Sequence, residues 1–267
     1  QEIRTRTNYG ATVERIALKE LPDFPIPLPP LPEQKAIAHI LGSLDDKIEL
    51  NRRMNATLEG MAQALFKSWF ADFDPVIDNA LAAGNPIPDE LAARAEVRRQ
   101  ALANGTTQQG FVDHPTLSIP KPLFPDAFQF TEELGWIPEG WEVQKLGDFA
   151  LNITDGTHST VKDNPEGECY LLSCKNIKNG QITIGSSERK INLETLNKLK
   201  KRTNLSKCDI LLTTVGTVGE TAMIRSEEIP YDFQRSVGII KPNLEKNAPE
   251  YLYQMVKSER FLHEALA

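Results

Sequence analysis

"PIPLPPLPEQKAIAHILGSLDDKIELNRRM", residues 25–54, decides how the rest of the chain is read. A ladder of prolines runs directly into a long stretch of strong helix formers. Proline fixes φ, lacks an N–H and is tolerated only in the first turn of a helix. The ladder therefore predicts an extended arm, with Pro32 as the first residue of a helix that continues to about Phe73, where Asp74-Pro75 stops it. At 1.5 Å per residue such a helix is a rod of about 60 Å.

The apolar residues of this helix recur on one stripe. With Ile37 at a heptad a position, Leu44, Asn51, Leu58 and Leu65 follow at a, and Ile40, Lys47, Met54, Met61 and Ser68 fall at d. Leu41, Ile48, Ala62 and Trp69 widen the stripe. A rod with a continuous apolar seam calls for a second helix, and Ile37, Ile40, Leu44, Asn51, Met54, Leu58, Met61 and Leu65 are the expected pairing face. Lys47 and Asn51 interrupt the seam with polar groups, a pattern that fixes register at some cost in stability. The plainer alternative is one amphipathic helix lying on a globular core.

The chain has 267 residues, 40% hydrophobic and 25% charged, and no apolar run long enough to span a membrane. Its opening, "QEIRTRTNYGATVERI", reads like the middle of a domain, so a fragment is expected. Cys169, Cys174 and Cys208 show no CxxC spacing and read as small buried side chains of a reducing cytoplasm. The net charge of −7 argues against a generally basic nucleic-acid coat, yet affinity follows local Lys and Arg. Much of the acidity sits between Asp78 and Glu133, which leaves the last half of the chain free to carry a positive surface.

Downstream of the rod, "NPIPDELAARAEVRRQALANG" predicts a helix from about Asp89 to Ala103, and "HPTLSIPKPLFPDAF" an extended connector over a surface. From 137 onward, "WEVQKL", "CYLLSC", "QITIG", "DILLTTVG", "TAMIRS" and "SVGIIKP" read as strands, with helices near Leu193–Lys201 and Pro249–Glu264. The fold class is therefore mixed α/β, joined to a long coiled-coil-forming helix.

No catalytic signature stands out: neither a phosphate-cradling GxxxxGK[ST], nor HExxH, nor a nucleophile elbow, nor the Asn/Asp-Pro-Pro-aromatic box of amino-methyltransferases. Asp155 and His158 lack a further partner for acid–base work. No metal or cofactor is expected. The loops read instead as a DNA-binding surface. Thr157, His158, Ser159 and Thr160 in "ITDGTHST" offer short donors beside Gly156. Lys175, Asn176 and Lys178 sit near a turn, while Thr213, Thr214 and Thr217 lie among glycines. Gln234 and Arg235 match the chemistry that reads adenine and guanine edges. Lys198, Lys200, Lys201 and Arg202 are expected phosphate contacts.

The stretch from "IPLPPLPEQ" to "LFKSWFADFDPV" closely resembles the central conserved region of specificity subunits of type I restriction–modification systems. "LGWIPEGWEVQKLGDFA" resembles the entry to such a subunit's second target recognition domain, and "DGTH", "LLSCKNIKNG", "CDILLTTVGTVGETAMI" and "FQRSVGIIKPN" are similar to its recurring segments. The resemblance implies a plan: residues 1–31 are the tail of a first recognition domain with its proline arm, 32–74 a spacer helix, 75–136 a linker with a short helix, and 137–267 a recognition domain lacking its tail. It implies a half-subunit or truncated form whose N-terminal tail completes the C-terminal domain, within the chain or across a dimer. It also implies double-stranded DNA as ligand and homodimerisation through the helix. Separate modification subunits would use S-adenosylmethionine, and a restriction subunit would cleave. The competing readings are a coiled-coil scaffold that reads no DNA, and a self-contained methyltransferase or nuclease, which lacks its boxes here.

Overall fold

The computed structural model describes residues 18–105 and 123–266. The chain divides into two compact units, 1–59 and 60–267. The expected tail at residues 1–17 and most of the proline connector, 106–122, lie outside the described residues. Among the described residues no helix is long and apolar enough to cross a membrane.

A short 3-10 turn, Leu18–Asp23, leads into the extended prolines and then into helix α1, Leu31–Phe70, of which residues 31–59 belong to the first unit and 60–70 to the second. The Gln34 side chain donates back to the Pro29 carbonyl at 2.7 Å, tying the arm to the first turn. No residue of α1 is fully buried, and Ile37, Ile40, Leu41, Leu44, Ile48, Met54, Leu58 and Met61 are all about half exposed. The rod ends three residues earlier than expected. Phe73 takes a left-handed conformation (φ 55), and Lys67 Nζ meets Asp72 at 2.6 Å across the break. Asp74-Pro75 therefore opens a new helix rather than closing the old one, since Pro fits the first turn.

That new helix is the main departure in the middle segment. Instead of a linker with one short helix, α2 (Asp74–Ala83) packs against α3 (Ala92–Ala103). Two bidentate pairs lace them together: Arg94 to Asp74 at 2.7 and 2.6 Å, and Arg98 to Asp78 at 2.8 and 2.5 Å. Asp74 is 2% exposed and also accepts from Ser68 Oγ at 2.8 Å. The hairpin of β1 (Phe128–Thr131) and β2 (Gly135–Pro138) closes an aromatic cluster with Trp69, Phe70, Phe73, Phe124 and Trp141.

"WEVQKL" is not a strand. Its alternation is real, with Trp141 and Val143 packed on that cluster and Glu142 and Gln144 exposed, but no strand among the described residues pairs with it. The chain turns instead into the single-turn α4, Leu146–Phe149, where Asp148 accepts from the Lys145 N–H at 3.1 Å.

Two sheets make the remaining body. One has the order β3 (Ala150–Asp155), β11 (Val237–Pro242), β8 (Ile210–Thr213), β9 (Thr221–Met223), all antiparallel. The other has the order β10 (Tyr231–Phe233), β4 (Cys169–Leu172), β7 (Arg189–Ile191), with β10 parallel to β4. A small hairpin joins β5 (Ile177–Lys178) to β6 (Gln181–Ile182). The period-two alternation of the strands sends Leu211, Ala222, Val237 and Ile239 to a core shared with Leu172, Tyr231 and Phe233. Their neighbours Ile210, Met223 and Ile240 turn to the opposite face, onto Leu252, Tyr253 and Val256 of α6 (Pro249–Lys257). Leu193–Thr203 forms α5. The expected helix Pro249–Glu264 is two helices, because the Ser258 hydroxyl accepts from the Phe261 N–H (3.2 Å) and starts α7, Glu259–Leu266.

Candidate functional site

The strand registers bring four loops to one edge of the second unit. Asp155, the last residue of β3, pairs with Gly238 near the start of β11, and Thr213, the last of β8, pairs with Val237. Phe233 and Leu172 end β10 and β4 level with one another. The segments 156–160, 173–176, 214–220 and 234–236 therefore leave the sheets at the same edge.

Backbone bonds knit them together. Thr157 N–H donates to Phe233 O at 2.8 Å, Arg235 N–H to Thr157 O at 3.0 Å, Gln234 N–H to Leu172 O at 2.8 Å and Thr214 N–H to Ser236 O at 3.0 Å. Ser236 Oγ accepts from the Cys174 N–H at 3.1 Å. Gly156 is required at this junction, since a Cβ there would lie 2.1 Å from Phe233 O. The buried Thr213 hydroxyl organises the 214–220 loop, accepting from Glu220 N–H at 2.9 Å and donating to Thr217 O. At the β5–β6 hairpin, Asn179 and Gly180 both take positive φ, and Asn179 N–H donates to Glu220 at 3.0 Å.

The side chains singled out in the sequence divide into two sets. His158, Ser159, Thr160, Lys175, Lys178, Lys201, Thr214, Thr217 and Arg235 are exposed, and Lys200 and Gln234 are half-buried. Thr157 and Asn176 face inward instead. Thr157, 9% exposed, accepts from Ser159 N–H. Asn176, 2% exposed, accepts from Ser173 N–H and donates to Thr183 O, both at 2.9 Å, so its amide shapes the turn rather than meeting solvent. Gln234 and Arg235 also part company. Gln234 lines a polar cleft of about 280 Å³ with Ser173, Lys175 and Glu188, whereas Arg235 points outward.

The cations are held unequally. Lys175 pairs with Glu188 at 3.0 Å and Lys198 with Glu194 at 2.7 Å. Arg202 pairs with Asp155, whose other oxygen lies 2.5 Å from His158 Nε2. Burial pushes the Asp155 carboxyl upward, but the hydrogen bonds from Arg202 and His158 outweigh it and hold the group below its usual range. Lys178, Lys200, Lys201 and Arg235 have no ion pair among the described residues. Behind them, the Thr203 hydroxyl at the end of α5 donates to Asp232 at 2.6 Å, fixing the basic helix end to β10. Asp232 is fully buried, and burial raises its carboxyl above the ordinary value against the bonds from Thr203 and Phe233 N–H.

Residue patterns gave no sign of two features. The exposed Val215 and Val218 stand at the loop tip, and apolar groups of this size suit a thymine methyl. The Asp155–Arg202 pair links residues 47 apart, which no local pattern could reveal. No group of three or more His, Cys, Asp or Glu side chains that could hold a metal occurs among the described residues.

The chain is 29% identical over 266 residues to the type I restriction enzyme HindI specificity subunit of Haemophilus influenzae, which covers 93% of this chain and 55% of that protein. It is 34% identical over 166 residues to the MjaIX specificity subunit of Methanocaldococcus jannaschii, covering 62% of this chain and 26% of that one. The chain thus spans about half the length, or less, of these curated relatives. A crystal structure of the HsdS subunit from Thermoanaerobacter tengcongensis matches with a TM-score of 0.36 at 16% identity, over 99% of this chain and 50% of that chain. The family model "Type I restriction modification DNA specificity domain" matches residues 1–60 and 138–267, most of the sequence, and the chain belongs to that family.

Proposed function

We propose that the edge formed by residues 156–160, 173–178, 214–218 and 234–236 binds duplex DNA and reads one half of a bipartite target. The observation that carries this reading is the convergence of four loops that bear unpaired Arg235 and exposed Ser and Thr hydroxyls, with unpaired Lys178 at the end of β5. Hydroxyls and lysines suit phosphate oxygens, and an outward guanidinium suits the O6/N7 edge of guanine. Asn176 and Thr157 serve by shaping their loops. The chain carries out no chemistry itself: methylation falls to modification subunits docked on α1, cleavage to a restriction subunit, and the assembly works in the cytoplasm.

In this reading α1 is a spacer that pairs with a second copy of the chain. Its apolar stripe is symmetric about Asn51: Ile37 and Leu65, Leu41 and Met61, Leu44 and Leu58, Ile48 and Met54 are equidistant from it. An antiparallel pair with its two-fold axis at Asn51 would bring each residue against its counterpart and the two amides against one another, which is what an isologous contact needs. The alternative, a scaffold that reads no DNA, draws on the same seam but leaves the loop edge without a role.

Fluorescence anisotropy on pools of bipartite duplexes, with and without a modification subunit, tests the reading. Saturable binding that survives competitor DNA is expected. Its absence under both conditions at low salt would leave the scaffold. Sedimentation at micromolar concentration should give a dimer, and a monomer would remove the pairing.

A further inference from the structure

Asp155 places a carboxylate at the edge where phosphates would approach, the wrong sign on Coulomb grounds alone. Both of its oxygens are engaged. Oδ1 accepts from the Arg202 guanidinium, Oδ2 lies 2.5 Å from His158 Nε2, and Arg202 Nε also donates to the Asp155 carbonyl at 3.4 Å. Arg202 nevertheless remains 53% exposed. It sits in the last turn of α5, whose next residue, Thr203, is anchored to buried Asp232. The base of the side chain and its tip are thus both fixed, by different elements. A guanidinium carries five N–H donors, and those not taken by Asp155 are left to face outward.

We propose that Asp155 is a positioning residue of the DNA-binding edge: it holds the Arg202 guanidinium as a preformed phosphate contact, while His158 occupies the oxygen that would otherwise face the DNA. The proposal rests on the DNA-binding reading above. The physical gain is preorganisation, since a long side chain already confined in the free protein has less rotamer freedom to lose when a phosphate arrives. The net charge of the pair is zero, yet the guanidinium is the more exposed partner, 53% against 30% for the carboxylate.

The test uses the full chain on a mixed-sequence duplex across a salt series, because phosphate contacts are independent of sequence. Wild type, Asp155→Asn, Arg202→Gln, the double variant and Lys201→Ala are compared. Positioning predicts that Asp155→Asn weakens binding by about 3- to 10-fold and that the double variant is no weaker than Arg202→Gln, because Asp155 acts through Arg202. It also predicts that Asp155→Asn reduces the steepness of the salt dependence by up to about 0.9, one phosphate contact. Tighter binding by Asp155→Asn, the plain Coulomb result, or losses that add in the double variant, would overturn it. If Asp155→Asn does not fold, Arg202→Lys carries the test: it keeps the charge but loses the fork, so weakened binding with an unchanged melting temperature is expected, and wild-type affinity overturns the proposal. Failure of the wild type to bind any duplex, with or without modification subunit, defeats the DNA-binding reading itself. Weakening by Lys201→Ala together with tightening by Asp155→Asn defeats only the positioning role.

Discussion

Gly156→Ala should damage stability and DNA binding together, through a single methyl group. A Cβ at this position would stand 2.1 Å from Phe233 O and 2.4 Å from Gln234 O, both backbone atoms that cannot swing aside. The 156–160 loop must then lift off the end of β10, at the expense of the bonds Thr157 N–H to Phe233 O and Arg235 N–H to Thr157 O. Overpacking of this kind costs about 1–3 kcal/mol, and each lost hydrogen bond about 1 kcal/mol. The strain is relieved only by giving up the bonds, so the two costs do not simply add, and a total of about 2–4 kcal/mol is expected. For a unit of this size that lowers the melting temperature by about 4–16 °C. Gly147→Ala is the matched control: nothing lies within 4 Å of its would-be Cβ, and a helical turn favours alanine. Differential scanning calorimetry on both variants, with anisotropy on DNA for each, gives the comparison. A Gly156→Ala protein that melts within about 1 °C of wild type would refute the wedge of this loop against β10, and with it the common anchoring of the 156–160 and 234–236 loops.

Arg235→Ala should cost about 1–3 kcal/mol at one base position and relax specificity there, as mapped by competition with single-base variants. Lys200→Ala should weaken all sequences alike and flatten the salt dependence by about 0.9; a uniform effect from Arg235→Ala would make it a phosphate anchor as well. Asp232 carries its proton more tightly in the folded protein, so its contribution to stability is greatest below the ordinary value of 3.8 and is lost as pH rises through the raised folded value. Asp232→Asn keeps the bond from Phe233 N–H on its amide oxygen and reverses the other, its NH2 donating to the Thr203 hydroxyl while that hydroxyl donates to Leu199 O, so it should remove that decline and be at least as stable as wild type at pH 7, measured by urea melts across the acid range. Leu58→Asp sets a charge in the middle of the α1 seam and should shift sedimentation toward monomer while leaving the melt of the second unit unchanged, because Leu58 is 56% exposed.

Much of the architecture was legible where the pattern is local. The proline ladder and the 3.6-residue stripe mark α1 to within one residue at its start, because both signals depend only on neighbours along the chain. The strands "CYLLSC", "DILLTTVG" and "SVGIIKP" announce themselves by apolar alternation and β-branched content. The sequence failed where partners are distant. "WEVQKL" alternates as a strand should, but a strand needs a neighbour and the aromatic cluster claimed Trp141 first. Conversely "ALNITD" is a strand absent from those expected, and its last three residues fall in the stretch "ITDGTHST" read as a loop: its apolar Leu151 and Ile153 point outward, and pairing with β11 makes it a strand. Tyr231–Phe233 is too short for any periodicity, and the parallel register with β4 makes it a strand.

Residue chemistry taken alone determined which side chains were suited to meet a duplex: hydroxyls, lysines and an arginine gathered in a few glycine-bearing stretches. Only the tertiary structure decided which of them face out. Asn176 and Thr157 have the same donor chemistry as their neighbours, but their backbone positions aim them inward, where they satisfy buried N–H and C=O groups. The pairing of Asp155 with Arg202 likewise depends on how β3 and the end of α5 meet, and a contact between residues far apart along the chain leaves no trace in the order of the amino acids.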